Sequence, residues 1–275
     1  MSATAPIGVL DSGLGGLTAV KALRAVLPAE DIVYFGDTGR VPYGTRGRDV
    51  IIAYAKQDIA FLLAQNVKTV LAACGTVSST LPQDVVDALP VGYLGVVMPA
   101  VAAAVAATKN GRVGVIATEA TIASGSYQRA LAAQNEKLTV TAVACPLFVP
   151  LVENGHFAPG DALARLAAEG YLEPIKAAGV DTLILGCTHY PLLADTIAGL
   201  LGPSVTLVDS GREAALALKE KLAQQGLLAP AGRSGKAAYY VSDDASRFDQ
   251  LAHIFMGSAA DGSVQRIDIE RYRLD

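Results

Sequence analysis

Two short stretches of this chain carry groups able to do chemistry at a carbon atom. One is Val70-Leu71-Ala72-Ala73-Cys74-Gly75-Thr76; the other is Leu183-Ile184-Leu185-Gly186-Cys187-Thr188-His189. Each is an apolar run of strand length that ends in a thiol followed by small or hydroxyl residues. Open α/β sheets bind ligands at the carboxyl ends of their strands, so both thiols fall where chemistry is expected. A helix that starts at a cysteine lowers its thiol pKa and makes it a better base or nucleophile. A lone cysteine is most often a small buried hydrophobe, but two at equivalent strand ends speak for function.

Three chemistries fit such a pair: a redox couple, a nucleophile with a spare, or an acid and a base on opposite faces of one substrate carbon. The third needs neighbours that set protonation, and Asp11 and His189 are of the right kind. It must also hold an amino acid by its carboxylate and amine. The hydroxyls of Ser12, Thr76, Thr118 and Thr188, with N–H groups at helix starts, can do so without arginine.

The elements that must position these groups alternate strand with helix along the whole chain. Strands are expected at Ile7–Leu10, Asp31–Phe35, the run ending at Cys74, Tyr93–Val97, Arg112–Ala117, Leu138–Ala144, the run ending at Cys187, Val205–Val208 and Ala237–Val241. A helix over Ala245–Met256 is expected to close the chain. Such alternation predicts an α/β fold with mainly parallel sheets flanked by helices. One helix is expected from Thr76 to about Ala88, and Thr118 is expected to cap another. The turn Asp11-Ser12-Gly13-Leu14-Gly15-Gly16 suits an anion, but it lacks the third glycine of a dinucleotide fingerprint and Asp11 opposes a diphosphate.

One offset relates Val67, Thr69 and Cys74 to Val180, Thr182 and Cys187. Ile7-Gly8-Val9-Leu10 is echoed by Val113-Gly114-Val115-Ile116, and Asp11-Ser12-Gly13 by Asp209-Ser210-Gly211. These echoes point to an internal duplication.

Composition narrows the classes. A hydrophobic share of 52% against 17% charged residues gives ample material for burial. A net charge of −4 and a pI near 5.4 argue against nucleic acid, which wants a basic face. Pro90, Gly92, Gly95 and Pro99 interrupt the longest uncharged run, Ala88 to Thr108, so no membrane span is expected. Three sparse cysteines and no leader-like N-terminus point to a reducing, cytoplasmic setting. The cysteines and the three histidines lack metal-ligand spacing, so neither metal nor other cofactor is expected. Cys145 reads as core or as a position just behind the site, and His156 and His253 as surface or structural positions.

The opening Ile7-Gly8-Val9-Leu10-Asp11-Ser12-Gly13-Leu14-Gly15-Gly16-Leu17-Thr18 carries a family resemblance. So do Tyr34-Phe35-Gly36-Asp37-Thr38, Val41-Pro42-Tyr43-Gly44, Ala73-Cys74-Gly75-Thr76 and Leu185-Gly186-Cys187-Thr188-His189-Tyr190-Pro191-Leu192-Leu193. Over nearly its whole length the chain resembles the glutamate racemases. These are cofactor-independent isomerases that interconvert L- and D-glutamate and supply D-glutamate for peptidoglycan synthesis. The resemblance implies two similar α/β domains with the active site in the cleft between them, the first from residues 1–97 plus 208–275 and the second from 98–207. It implies that Cys74 takes the α-proton from D-glutamate and Cys187 from L-glutamate, with Asp11 and His189 assisting. Asp11, Ser12, Tyr43, Gly44, Thr76, Thr188 and His189 match the family's substrate contacts, and the resemblance makes Asp37 and Glu153 candidate supporting acids.

One departure stands out. The family usually has Cys-Asn-Thr where this chain has Cys74-Gly75-Thr76, so a backbone or water-mediated substrate contact is expected at Gly75. Glutamate is the expected partner, with a homodimer as the candidate assembly. The rival readings are a related racemase acting on aspartate or another acid, and a non-enzymatic binding protein or thiol switch.

Overall fold

Short apolar runs, each followed by a helix, give this chain two parallel sheets. The computed structural model describes residues 2–257 and 262–274. The strands are β1 (Ile7–Asp11), β2 (Ile32–Gly36), β3 (Thr69–Ala72), β4 (Gly92–Gly95), β5 (Arg112–Ala117), β6 (Thr139–Ala144), β7 (Thr182–Leu185), β8 (Thr206–Asp209), β9 (Ala237–Val241) and β10 (Val264–Arg266). One sheet has the order β10-β9-β2-β1-β3-β4, the other β6-β5-β7-β8, and every pairing is parallel. The inner strands β1, β2, β3 and β7 are buried throughout. That explains why their sequences read as unbroken apolar runs and not as alternating ones.

The strand order reverses between β1 and β3 in one sheet and between β5 and β7 in the other. Loops diverge at such switch points and leave a crevice at the carboxyl ends of the strands. Cys74 lies just beyond β3 and Cys187 just beyond β7, so each thiol stands at the switch point of its own sheet. The echo in the sequence is a matter of register. Ile7 pairs with Thr69 and Leu10 with Ala72, while Val113 pairs with Thr182 and Ile116 with Leu185. The third echo does not share this basis. Asp209 ends the edge strand β8 and caps the helix Ser210–Gln224, accepting the N–H groups of Gly211 and Arg212 at 2.9 and 3.1 Å. Asp11 instead ends a central strand.

Several expected elements differ in extent. Pro82 splits the stretch after Thr76 into the helices Gly75–Thr80 and Gln83–Asp87, since proline disfavours helix at the residue before it. Gly125, at φ 66°, divides the next stretch into Glu119–Ser124 and Ser126–Gln134, and the Thr118 side chain caps the first of these as expected. After Cys187 comes only the short 3-10 turn Tyr190–Leu193 and not an immediate helix. The helix Ala245–Met256 is not the last element: β10, paired with β9, and a 3-10 turn at Ile269–Arg271 follow it. The alternating Val264-Gln265-Arg266-Ile267-Asp268-Ile269 was the signal for β10.

The sheets meet through glycines. A Cβ on Gly75 would run into the carbonyl oxygen of Gly186, and one on Gly15 into the side chains of Thr188 and His189. The glycine-rich turn after β1 therefore serves close approach between loops. A backbone oxygen cannot swing aside as a side chain can, so Gly75→Ala is expected to lower stability by about 1–3 kcal/mol through overpacking. Urea unfolding checks this. An unchanged midpoint would contradict so tight a contact.

Candidate active site

The loops at the two switch points enclose a cavity of about 320 Å³. Ser12 and Gly13 come to it from the turn after β1, Cys74, Gly75 and Thr76 from β3, Thr118 and Glu119 from β5, and Cys187, Thr188 and His189 from β7. Tyr43 and Gly44 add the loop after β2, and Glu153 the short helix Phe148–Glu153. The expected substrate-contacting set thus converges on one space, apart from Asp11. Asp11 and Asp37 are fully buried and do not line the cavity. Asp11 stands behind the wall, accepting the Gly13 N–H at 3.0 Å and facing the Thr188 hydroxyl at 3.4 Å. Asp37 accepts hydrogen bonds from Tyr43, Arg40 and Ser242 below it.

The two thiols have different neighbours. Cys74 Sγ lies 3.6 Å from Ser12 Oγ. Cys187 Sγ lies 3.9 Å from His189 Nδ1, whose ring reaches Glu153 Oε1 through Nε2 at 3.0 Å and packs edge-on against Phe255. Hydroxyls bridge the two sheets: Thr76 Oγ1 and Thr118 Oγ1 are 2.9 Å apart, and Thr118 bonds Thr121 at 3.0 Å. Among the described residues the lining holds no lysine or arginine, so hydroxyls and backbone N–H groups are left to receive an anion.

Burial dominates the electrostatics. It pushes the Cys74 thiol up to about 12, and the Asp11 carboxylate adds to this, against the pull of the Val77 N–H and the Ser12 hydroxyl. This reverses the lowered thiol expected from a helix start. The helix has only six residues, and the dry site outweighs its dipole. Cys74 therefore keeps its proton at neutral pH. Burial also raises the Asp11 carboxyl, opposed by His189 and by the N–H groups of Gly16 and Gly13. For His189, burial works against the cation, yet hydrogen bonds to Cys187 and Glu153 prevail and lift it to about 10. The ring is then an imidazolium at pH 7, set between the Cys187 sulfur and the Glu153 side chain.

Sequence reasoning missed part of the wall. Pro146, Val149 and Pro150 line the cavity together with Val41 and Pro42, while Cys145 belongs to the same wall and is fully buried in the core, the packing position expected of it. An apolar segment reads alike whether it faces a core or a ligand, so only the Cys-Pro step after a strand hinted at it. His156 pairs with Asp161 at 3.0 Å, away from the cavity. No group of three or more His, Cys, Asp or Glu among the described residues could hold a metal, and no described helix is long and apolar enough to cross a membrane.

Comparisons with known proteins agree with this architecture. The profile of the Asp/Glu/Hydantoin racemase family matches residues 18–218. The glutamate racemase of Chlorobaculum parvum (strain DSM 263 / NCIMB 8327) is 44% identical over 260 residues, covering 94% of this chain and 94% of that protein. Among solved structures, glutamate racemase isoform RacE1 from Bacillus anthracis superposes with a TM-score of 0.91 at 34% identity, covering 96% of this chain and 98% of that one. The glutamate racemase from Francisella tularensis subsp. tularensis SCHU S4, solved with D-glutamate, gives 0.90 at 35% identity, covering 98% and 100%.

The environment of His189 makes a prediction about pH. Its folded pKa lies above the ordinary 6.5, so its contribution to stability is full below about pH 6.5 and is lost as pH rises through about 10. Nitrogen-15 NMR of labelled histidine is expected to show this ring still protonated at pH 8. A ring titrating near pH 6.5 would contradict the Cys187–His189–Glu153 arrangement.

Proposed function

This chain belongs to the Asp/Glu/Hydantoin racemase family, and we propose from that premise that it interconverts L- and D-glutamate by a two-base mechanism. The observation that carries the reading is the presence of two thiols in one cavity, delivered by equivalent strands of two separate sheets. The names of the relatives, and the D-glutamate bound in one solved relative, support glutamate as the substrate.

In the L-to-D direction, the Cys187 thiolate removes the α-proton. The electron pair of the broken C–H bond stays on the substrate. The Cys74 thiol, which burial keeps protonated, gives its proton to the opposite face and becomes the thiolate. The D-to-L direction exchanges the roles. Each turnover moves one proton onto one sulfur and one off the other, so no external oxidant or reductant is consumed.

His189, at 3.9 Å from Cys187 Sγ, is placed to exchange a proton with that sulfur, and Glu153 orients the ring. Asp11 acts from behind, holding Gly13 and Thr188 in place. Ser12, Thr76, Thr118 and Thr188 hold the substrate's charged ends, with backbone groups of Gly44 and Gly75. Gly75 has no room for a side chain, so it offers only its backbone to substrate. Tyr43 lends its ring to the wall. The two sheets act as two lobes, and because β8 pairs with β7 as far as Asp209, the second lobe runs two residues past the expected boundary between 207 and 208. Their closure excludes water and strengthens the hydrogen bonds on the developing carbanion. The product serves peptidoglycan synthesis in the cytoplasm.

Loss of one positioned acid or base removes about 10²–10⁴-fold of rate. Cys74→Ala and Cys187→Ala are each expected to lose at least that much racemisation, read by chiral chromatography with glutamate, with circular dichroism unchanged. Full turnover by either variant would end the two-base reading. Turnover of aspartate in place of glutamate by the parent would keep the mechanism and change the substrate.

A further inference from the structure

Beneath the Tyr43 side of the cavity lies a buried cluster that the proposed chemistry does not use. It joins Arg40 and Asp37 to Asp58 on the helix Arg48–Ala64, and both carboxylates are fully buried. The Tyr43 hydroxyl is in close contact with Asp37 Oδ2 and lies 3.1 Å from Asp58 Oδ2. Arg40 reaches Asp37 Oδ2 through Nε at 2.6 Å and Asp58 Oδ1 through Nη2 at 3.2 Å. Its Nη1 donates to Gln57 Oε1 at 2.5 Å, and its guanidinium sits 4.0 Å over the Tyr54 ring. Ser242 donates to Asp37 Oδ1 at 2.7 Å.

A count of protons decides the protonation of this cluster. A phenol has one O–H to donate, yet the Tyr43 oxygen faces two carboxylate oxygens. Two anions cannot both approach it. The shorter contact, to Asp37, takes the Tyr43 proton, because Asp37 already receives Arg40 and Ser242 and is the better-supported anion. The remaining contact to Asp58 needs a proton of its own. The charges agree: among the described residues Arg40 is the cation that contacts both buried carboxylates, and an uncompensated buried charge is costly.

We infer that Asp58 is a neutral carboxylic acid that donates its proton to the Tyr43 oxygen and thereby acts as a positioning residue for the Tyr43–Gly44 wall of the cavity. Burial and the neighbouring Asp37 both raise the Asp58 carboxyl well above the ordinary range, in the same direction. Tyr43 is then held at both ends of its hydrogen-bonding capacity, accepting from Asp58 and donating to Asp37. Gly44, the next residue, packs against Thr118 of the other sheet. Fixing the phenol thus fixes the loop that completes the cavity from the β2 side. The role rests on the racemase reading above for its kinetic consequence, but the protonation does not.

Two variants and one spectrum test it. Asp58→Asn keeps a donor toward the Tyr43 oxygen and is expected to hold KM for glutamate within about three-fold of the parent. Asp58→Leu removes the donor and is expected to raise KM about ten-fold, the worth of one hydrogen bond, with a smaller change in kcat. At neutral pH the infrared difference between parent and Asp58→Asn should contain a carboxylic-acid carbonyl band. Absence of that band, or a carboxylate band in its place, would overturn the proposal. So would Asp58→Asn losing as much as Asp58→Leu, or Asp58→Leu leaving KM unchanged. Should Asp58→Leu fail to fold, Asp58→Asn and the spectrum still decide. The spectrum also decides if the parent does not act on glutamate.

Discussion

The contact between Gly75 and the Gly186 carbonyl is the constraint on which the site depends. Cys74 precedes the first of these residues and Cys187 follows the second. Each thiol therefore sits one peptide from the point where the two sheets touch. Two sulfurs serving one carbon need a fixed separation, and a backbone-to-backbone stop is stiffer than any side-chain packing. Gly15 does similar work beside Thr188 and His189. A chain with an amide side chain at position 75 would have to seat these loops differently. That makes the glycine a structural choice here, and under the proposed function it leaves the reading of substrate to backbone groups and hydroxyls.

Closeness and dryness together set the protonation. The same burial that would disfavour any ion keeps Cys74 a thiol and raises the Asp11 carboxyl. On the other side, hydrogen bonds to Cys187 and Glu153 overcome burial and leave His189 a cation. A symmetric fold thus holds an asymmetric pair, with an acid ready on one face and a proton carrier on the other. Interconversion of mirror images needs equal access to both faces but not equal environments at rest. In the proposed reaction protons must return between turnovers, and the Cys187–His189–Glu153 line would give one route from the sulfur outward.

Much of this was legible before any coordinates. The thiol-bearing strands are all-apolar because they lie inside parallel sheets, and that is plain in the residues themselves. The echo of Ile7–Leu10 in Val113–Ile116 is legible for the same reason: identical register demands similar residues. What could not be read depends on contacts between distant segments. The high pKa of Cys74 comes from a second sheet closing over it. Pro146 lines the cavity, and Cys145 beside it belongs to the core and to the cavity wall at once. Asp58 looks like an ordinary polar residue on a helix until Tyr43 and Arg40 are placed upon it. The strand β10 is legible as alternation, but it lies beyond the helix Ala245–Met256.

The measurement that tests the central claim most directly is hydrogen exchange at Cα in deuterated buffer, started separately from pure L- and pure D-glutamate with no cofactor added. The account predicts deuterium in the inverted product from both enantiomers, because each proton delivered comes from a thiol equilibrated with solvent and not from the substrate. Inversion with full retention of the original hydrogen would contradict it, since one base would then carry the proton across. Absence of exchange and of inversion from either enantiomer would contradict it more broadly and take glutamate out of the cavity.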